Sequence, residues 1–145
     1  MTKKLALLTV ALLATAGVAR VEGPDLIELR QAGQDLVLGT FGGIRAVVDA
    51  KGDIKKLETP AKALQRWALD FPALFPKGTE TGHDTKALPA IWSDNAGFLK
   101  AAADFSAAAG KLAEIAKAGD ADGIGAQVKA VGDACGACHR TYRAK

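Results

Sequence analysis

The sequence has few aromatic residues and no β-strand pattern, and both shortages point away from a β-sheet protein. Aromatic side chains make up 6% of the 145 residues, whereas alanine and glycine are abundant, as in closely packed helices. No stretch alternates apolar and polar residues as a strand does, and no internal repeat stands out. With 49% apolar residues, the chain is long enough for one domain with one core.

Apolar runs long enough to span a bilayer are also missing, and the main apolar run lies at the N-terminus. Two lysines precede this run, which covers residues 5–13, and small residues follow it. The order predicts a secretory signal peptide over residues 1–19, cleaved after Ala16 or Ala19, because the run is too short for a transmembrane helix. A retained membrane anchor is the alternative. We therefore expect a mature domain over residues 20–145, located in the periplasm and without a membrane span.

A large excess of either charge is absent as well. The formal net charge is +3, and removal of the predicted signal peptide takes away two lysines and leaves +1. Proteins that bind nucleic acids usually carry a basic excess on one face. The composition therefore predicts no nucleic-acid partner.

Cysteine and histidine are scarce, yet most of them lie together near the C-terminus. The only cysteines are Cys135 and Cys138, and His139 directly follows the second. A disulfide across so short a loop would stabilise little, and a thioredoxin-like C-x-x-C normally follows a strand. A structural zinc site would need a fourth ligand from elsewhere in the chain. The remaining interpretation is the C-x-x-C-H motif of covalent haem attachment.

This motif predicts one covalent haem c, with His139 held beside the iron as an axial ligand. Histidine–methionine ligation is excluded in the mature protein, because the only methionine is Met1. His83 is the strongest other candidate for a sixth ligand and would give bis-histidine ligation. The amide oxygen of Gln34 is a weaker candidate.

Four segments have helical periodicity, with apolar or small residues at steps of three and four. Between the second and third, residues 75–94 hold prolines, glycines and small polar residues and are predicted to form a long ordered loop. Four helices of this length predict an all-α, antiparallel up-down-up-down four-helix bundle. The segments are residues 24–48, a second from an N-cap at Thr59 to Pro72, a third from a cap at Ser93 or Asp94 to Ala116, and residues 124–142.

The bundle brings the start of the first helix opposite the end of the fourth, which carries the cysteines. Arg30, Gln31 and Gln34 thus become candidates for the distal side of the haem, with Arg30 placed to pair with a propionate. Arg143 lies one turn after His139. It is expected to stabilise the helix C-terminus, to tune the iron, or to do both.

Several stretches together resemble the class II c-type cytochromes, the cytochrome c′ family, over nearly the whole mature chain. A C-x-x-C-H motif near the C-terminus discriminates this family from class I cytochromes c, which have the motif near the start. The matching stretches are "LRQAGQ", "FGG", "LFPKGTETG", "PAIWSD", "FLKAAADF" and "CGACHRTYRAK".

The resemblance implies a five-coordinate, high-spin iron that transfers electrons and binds NO and CO. It also implies that Gln31 touches the haem edge and that Thr79 and Glu80 lie in a loop that passes near the haem. A related group, similar to cytochrome c-556, has a methionine ligand four residues after the arginine of the first helix. This chain has Gln34 there, where the family more often has an apolar residue or methionine.

We therefore expect an electron carrier or gas-binding haem protein and not an enzyme, because no acid–base pair is evident beside the predicted pocket. The alternatives are a low-spin, six-coordinate carrier and a haem enzyme that reduces NO or peroxide. Redox partner proteins are expected. A homodimer is also expected, since Val37, Phe41, Val48 and Trp67 extend the apolar surface of the first two helices and the family commonly pairs there.

Overall fold

The computed structural model describes residues 23–145, which form four long helices and one short one. The long helices make the expected antiparallel four-helix bundle, and the long loop between the second and third contains the short helix and an isolated antiparallel bridge. No strand occurs within this part of the chain. The helices are α1 (Leu26–Asp49), α2 (Glu58–Asp70), α3 (Ala90–Ser93), α4 (Asn95–Ala118) and α5 (Ile124–Tyr142).

The predicted signal peptide, residues 1–19, lies outside the described residues. Within residues 23–145, no helix is both long enough and apolar enough to cross a membrane.

Aspartate side chains cap α1 and α4, whereas α2 begins without a side-chain cap; a cap at Ser93 or Asp94 was expected for α4, and Asp94 provides it. The Asp25 carboxylate accepts hydrogen bonds from two backbone N–H groups in the first turn of α1, and Asp94 accepts one at the start of α4. The prediction that Thr59 caps α2 is wrong. A 3₁₀ turn, Ile54–Leu57, runs directly into α2, which begins at Glu58, so Thr59 lies inside the first turn.

Two apolar clusters fill the bundle. The larger one joins the long helices around Leu64, Leu112 and Val131, which are almost completely buried. The smaller one is aromatic and joins the loop, α4 and the end of α5 around Phe98 and Tyr142, whose rings meet edge to face with centroids 5.4 Å apart. Between the two clusters, α1 stands away from α5 and leaves a cavity.

Close contact between α1 and α2 depends on a glycine. A Cβ atom on Gly33 would overlap the six-membered ring of Trp67, so only glycine lets this indole lie against α1. The expectation that Trp67 extends the apolar surface of a homodimer is therefore wrong. Its ring packs inside the monomer, 5.7 Å from the ring of Phe71.

The hydroxyl of Tyr142 joins the end of α5 to the start of α4. It donates a hydrogen bond to Asp94 Oδ2 at 2.7 Å. Gly97 makes room for this pair, since a Cβ there would overlap both side chains. The backbone oxygen of Tyr142 also accepts a hydrogen bond from Leu88 N at 3.0 Å. The end of α5 is thus held by both α4 and the loop.

Tyr142 is the only tyrosine in the chain, so its ionisation can be measured directly. The hydrogen bond to Asp94, followed by burial, raises its pKa to about 12. Because the unfolded pKa is about 10, this contribution to stability is complete below pH ~10 and is lost as the pH rises through the folded pKa. Ultraviolet difference spectra should show tyrosinate forming near pH 12 in the native protein and nearer to 10 in Asp94→Asn. The same midpoint in both proteins would contradict the assignment.

Candidate functional site

The cavity has a volume of about 590 Å³, within the usual range for cofactor pockets, and it contains most of the predicted site. Helix α5 contributes Cys135, Cys138 and His139, and α1 contributes Gln31 and Gln34. The remaining wall is mainly apolar and comes from all four long helices and the loop. Its larger apolar side chains include Val37, Leu38, Phe41, Trp67, Phe71, Phe75, Ile91, Phe98 and Phe105.

Both cysteines lie on one face of α5, because residues three apart are neighbours on a helix. Their thiols are free of a disulfide and half-buried. Burial raises the pKa of Cys135 and of Cys138. Neither is therefore the reactive thiolate that a redox C-x-x-C requires, and the structure gives no support to the disulfide and thioredoxin-like interpretations.

His139 completes this wall of the cavity. Burial, and secondly the charge of Arg143, lowers the pKa of His139. The imidazole is therefore neutral at pH 7 and has a nitrogen lone pair for a metal. Across residues 23–145, no three Cys, His, Asp or Glu side chains are arranged to hold a metal ion by themselves. One histidine beside two thiols in an apolar cavity instead fits a haem c, whose porphyrin brings its own equatorial nitrogens.

Arg30 is almost completely buried and binds the loop. Its Nη1 donates to the backbone oxygen of Leu74 at 3.2 Å and to Thr79 Oγ1 at 2.9 Å. Its Nη2 donates to the backbone oxygen of Thr79 at 2.7 Å and to Thr85 Oγ1 at 3.1 Å. The guanidinium carbon lies 4.3 Å from the centroid of the Phe75 ring. A haem propionate that pairs with Arg30 would therefore have to share the guanidinium with these acceptors of the loop.

Thr79 and Glu80 were expected near the haem, but neither lines the cavity. The Thr79 hydroxyl accepts from Arg30 and donates to the backbone oxygen of Pro76 at 2.8 Å. The Glu80 carboxylate accepts from the backbone N–H of Gly78 at 2.8 Å. The structure therefore places both residues in the turn that surrounds the arginine, behind the cavity wall.

His83 is bound to the start of α1 and does not line the cavity. Its Nε2 lies 2.9 Å from Asp25 Oδ2, and its Nδ1 lies 3.3 Å from Glu28 Oε1. The Gln31 amide donates to the backbone oxygen of His83 at 2.9 Å. Both ring nitrogens thus face carboxylates, which disfavours bis-histidine ligation.

Gln34 and its exposed neighbour Asp35 are the polar residues of α1 that line the cavity beyond Arg30 and Gln31, and of the two Gln34 is the less exposed. It is half-buried, lines the cavity, and has no hydrogen-bond partner among residues 23–145. Phe41 and Trp92 pack against the two apolar clusters. The Trp92 indole donates to the backbone oxygen of Phe75 at 3.0 Å.

The sequence analysis missed most of the aromatic residues of the cavity wall, among them Trp67 and Phe71. These two lie four residues apart on and just after α2, a spacing that places both on one helical face. That spacing was available from the sequence. The close approach to Gly33, which turns this face toward the cavity, was not.

Comparison with known proteins relates this geometry to haem proteins. The model of the family described as cytochrome c′ matches residues 25–143. Cytochrome c′ of Rubrivivax gelatinosus is 39% identical over 123 residues, which cover 83% of this chain and 95% of the relative. Cytochrome c-556 of Agrobacterium tumefaciens is 34% identical, with 82% of this chain and 97% of the relative covered.

Solved structures show the same fold with bound gases. A nitric oxide complex of a cytochrome c′ variant from Alcaligenes xylosoxidans has a TM-score of 0.75 at 34% identity, covering 83% of this chain and 94% of that chain. A carbon monoxide complex of another variant has a TM-score of 0.75 at 34% identity, covering 83% and 95%. A cytochrome c′ with ligand-controlled dimer dissociation has a TM-score of 0.77 at 32% identity, also covering 83% and 95%.

The contacts of His83 predict that it does not affect the iron. His83→Ala should leave the visible absorption spectra of the oxidised and reduced protein unchanged. It should lower the melting temperature slightly, because half-exposed ion pairs contribute little to stability. Asp25→Asn is the matched control, since it removes the ion pair between Asp25 and His83 and keeps the histidine. Sharp low-spin bands that disappear only in His83→Ala would instead show that this histidine is an iron ligand.

Proposed function

Because the chain belongs to the cytochrome c′ family, whose members carry one covalently bound haem c, we propose that Cys135 and Cys138 bind the haem and that His139 is its axial ligand. The main support is that two free thiols and a neutral imidazole share one wall of a largely apolar cavity. When bound, the haem supplies an iron centre that can exchange electrons and bind small ligands. The proposed domain covers residues 20–145, after a signal peptide over residues 1–19.

Contacts around the end of α5 hold the proposed site in place. The bond between Tyr142 and Asp94 holds the helix end that carries His139. The aromatic cluster around Phe98 forms an apolar wall on that side of the cavity. The proposed site therefore has a fixed helix end and an apolar wall, as a buried cofactor requires.

We propose that His139 is the only protein ligand of the iron, which leaves a sixth position open. The opposing helix α1 offers Gln34, and His83 is engaged by carboxylates. An open position fits electron transfer and the binding of NO or CO, the gases found in complexes of related proteins. We propose these roles for an exported, periplasmic protein that is not an enzyme. Arg143, beside His139, is a candidate to tune the iron.

Covalent attachment gives a direct test of the site. The haem should stay with the protein after acid–acetone extraction, and Cys135→Ala/Cys138→Ala should lose it. Ala137→Ser, a change at an exposed position between the two cysteines, should retain it. The purified protein should have the broad visible bands of a high-spin haem. Extraction of haem from the unmodified protein would refute thioether attachment.

Gln34 should influence the affinity for a bound gas without acting as a ligand. A hydrogen bond from its amide contributes roughly 0.5–1.5 kcal/mol, so Gln34→Leu should weaken CO binding to the reduced protein by about tenfold at most. Gln31→Leu is a matched control, because the Gln31 amide is already bound to the loop. Equilibrium titration with CO measures both. A new spectrum of the ligand-free protein in Gln34→Leu would mean that Gln34 coordinates the iron.

A homodimer remains a proposal, and the structure changes the residues that support it. Val37, Phe41 and Val48 pack against the core of the monomer. The apolar side chains most exposed on α1 and α2 are instead Leu36, Leu38 and Leu69, at 72%, 71% and 65%. Of these, Leu38 also lines the cavity, which leaves Leu36 and Leu69 as the candidates for a dimer surface.

We predict that light scattering at micromolar concentration gives the mass of a dimer. Leu36→Glu/Leu69→Glu should shift this mass to that of a monomer, because two buried carboxylates per subunit would oppose association. Leu99→Glu, on the exposed face of α4, is the control and should remain dimeric. A monomer mass for the unmodified protein would exclude the dimer.

A further inference from the structure

Four exposed basic side chains surround the end of α5, and we call them the basic rim: Lys86, Arg140, Arg143 and Lys145. The last twelve residues, 134–145, contain no aspartate or glutamate, although they carry three of these basic residues. The loop segment over residues 85–93 contains Lys86 and no acidic residue. Within these two segments all charged side chains other than histidine are basic, and the flanking carboxylates are those of Asp84, Asp94 and Asp133, of which Asp94 is bound to the Tyr142 hydroxyl and Asp133 to Lys129.

Backbone pairing brings the loop lysine to the end of α5. Ala87 and Arg143 form an antiparallel bridge, and the N–H of Ala144 donates to the backbone oxygen of Lys86 at 2.8 Å. Lys86 and Arg143 both line the mouth of the cavity. The basic rim thus joins two segments that lie more than fifty residues apart in the sequence.

Arg140 extends the basic rim over the attachment motif itself. A Cβ atom on Gly136 would lie 3.4 Å from Arg140 Nη1, so the guanidinium folds back along α5 beside the residue between the two cysteines. The basic rim is therefore next to the edge of the proposed haem site and not on a remote face of the bundle.

The basic rim is not neutralised by its surroundings. Among residues 23–145, the ion pairs with carboxylates involve His83 and five lysines, none of which belongs to the basic rim. This part of the chain carries 16 basic and 15 acidic residues, so its overall charge is close to zero. The acidic residue that lines the cavity, Asp35, belongs to α1. The positive potential is therefore local to the end of α5.

We propose that the basic rim docks the acidic surface of an electron-transfer protein beside the haem attachment motif. This inference rests on the proposed electron-transfer function. In the encounter, the reduced partner loses one electron and this protein gains it. A few unpaired charges around a redox site increase the rate of association without requiring a large interface, as is typical of transient redox complexes. Four charges are fewer than the six to ten phosphate contacts of many nucleic-acid-binding proteins, which makes a polyanion the weaker interpretation.

Rates of oxidation by two small complexes of opposite charge test the local potential. The reduced holoprotein is mixed in a stopped-flow instrument with hexacyanoferrate(III), an anion, or with tris(phenanthroline)cobalt(III), a cation. We expect the rate constant for the anion to fall as ionic strength rises and that for the cation to increase. In Lys86→Glu/Lys145→Glu, the rate for the anion should fall by about tenfold at low ionic strength, and the difference should vanish at high salt.

The matched control changes the overall charge equally at the other end of the bundle. Lys51→Glu/Lys56→Glu reverses two exposed lysines that follow α1 and precede α2. Its rates should change much less than those of Lys86→Glu/Lys145→Glu, since the reversed charges lie beyond the far end of α1, whose 24 residues span about 36 Å, more than the Debye length of about 30 Å at 0.01 M. Equal effects of both double variants would show that only the net charge matters and would overturn the proposal.

An acidic protein partner provides the second test. A reduced plant-type [2Fe–2S] ferredoxin, a small acidic protein, serves as the probe and reduces the oxidised holoprotein. The rate should fall about tenfold in Lys86→Glu/Lys145→Glu and little in the control. An unchanged rate in the first variant would refute docking at the basic rim. Visible spectra recorded beforehand distinguish failure of the proposed function from failure of the docking proposal. Loss of covalent haem would refute the proposed function, whereas normal spectra with unchanged rates would refute only the docking surface.

Discussion

The Arg30 guanidinium lies against the ring of Phe75 in surroundings where an unpaired charge would be strongly unfavourable. Its two terminal nitrogens donate four hydrogen bonds, all to oxygen atoms between Leu74 and Thr85. A long loop with little regular structure is thereby tied to α1. Helix α1 forms the side of the cavity opposite the C-x-x-C-H helix. The position of this one cation therefore fixes where the loop lies relative to α1 and to the cavity.

The same contacts support the proposal that the iron keeps a coordination position open for a ligand. Once the loop is tied to Arg30, His83 reaches the carboxylates of Asp25 and Glu28 at the start of α1. A histidine in a long loop could otherwise compete for an iron centre. Residues 23–145 contain no methionine, and this arrangement leaves Gln34 as a half-buried polar side chain of α1 that lines the cavity.

The end of α5 combines three tasks in a few residues. Cys135, Cys138 and His139 form the proposed attachment site, and Tyr142 fixes the helix end by its bond to Asp94. The next residue, Arg143, pairs with the loop through backbone atoms and contributes to the basic rim. A partner that docks there would therefore approach the cofactor at a rigid part of the molecule, where little reorganisation is needed before an electron moves.

Local patterns in the sequence were sufficient to predict the four long helices and to recognise the attachment motif. The position of the only methionine, Met1, was sufficient to exclude a methionine ligand from the predicted mature protein. Helical periodicity is a relation between residues three and four apart, and C-x-x-C-H is a relation within one turn, so both can be seen without the fold. The resemblance to the cytochrome c′ family added the expectation of an open iron position, and the comparisons confirm the family.

Only the tertiary structure determined which polar side chains line the cavity and which are bound by other segments. Pairing of Arg30 with a propionate stays a prediction, and the four hydrogen bonds of Arg30 go to residues 44 to 55 positions away, on a loop whose path no periodicity predicts. The inward position of Trp67 depended on the missing side chain of Gly33, and the basic rim depended on backbone pairing between Lys86 and Ala144. Such contacts form only when packing brings distant segments together, because hydrogen bonding and steric fit act over a few ångströms in space, whatever the separation along the chain.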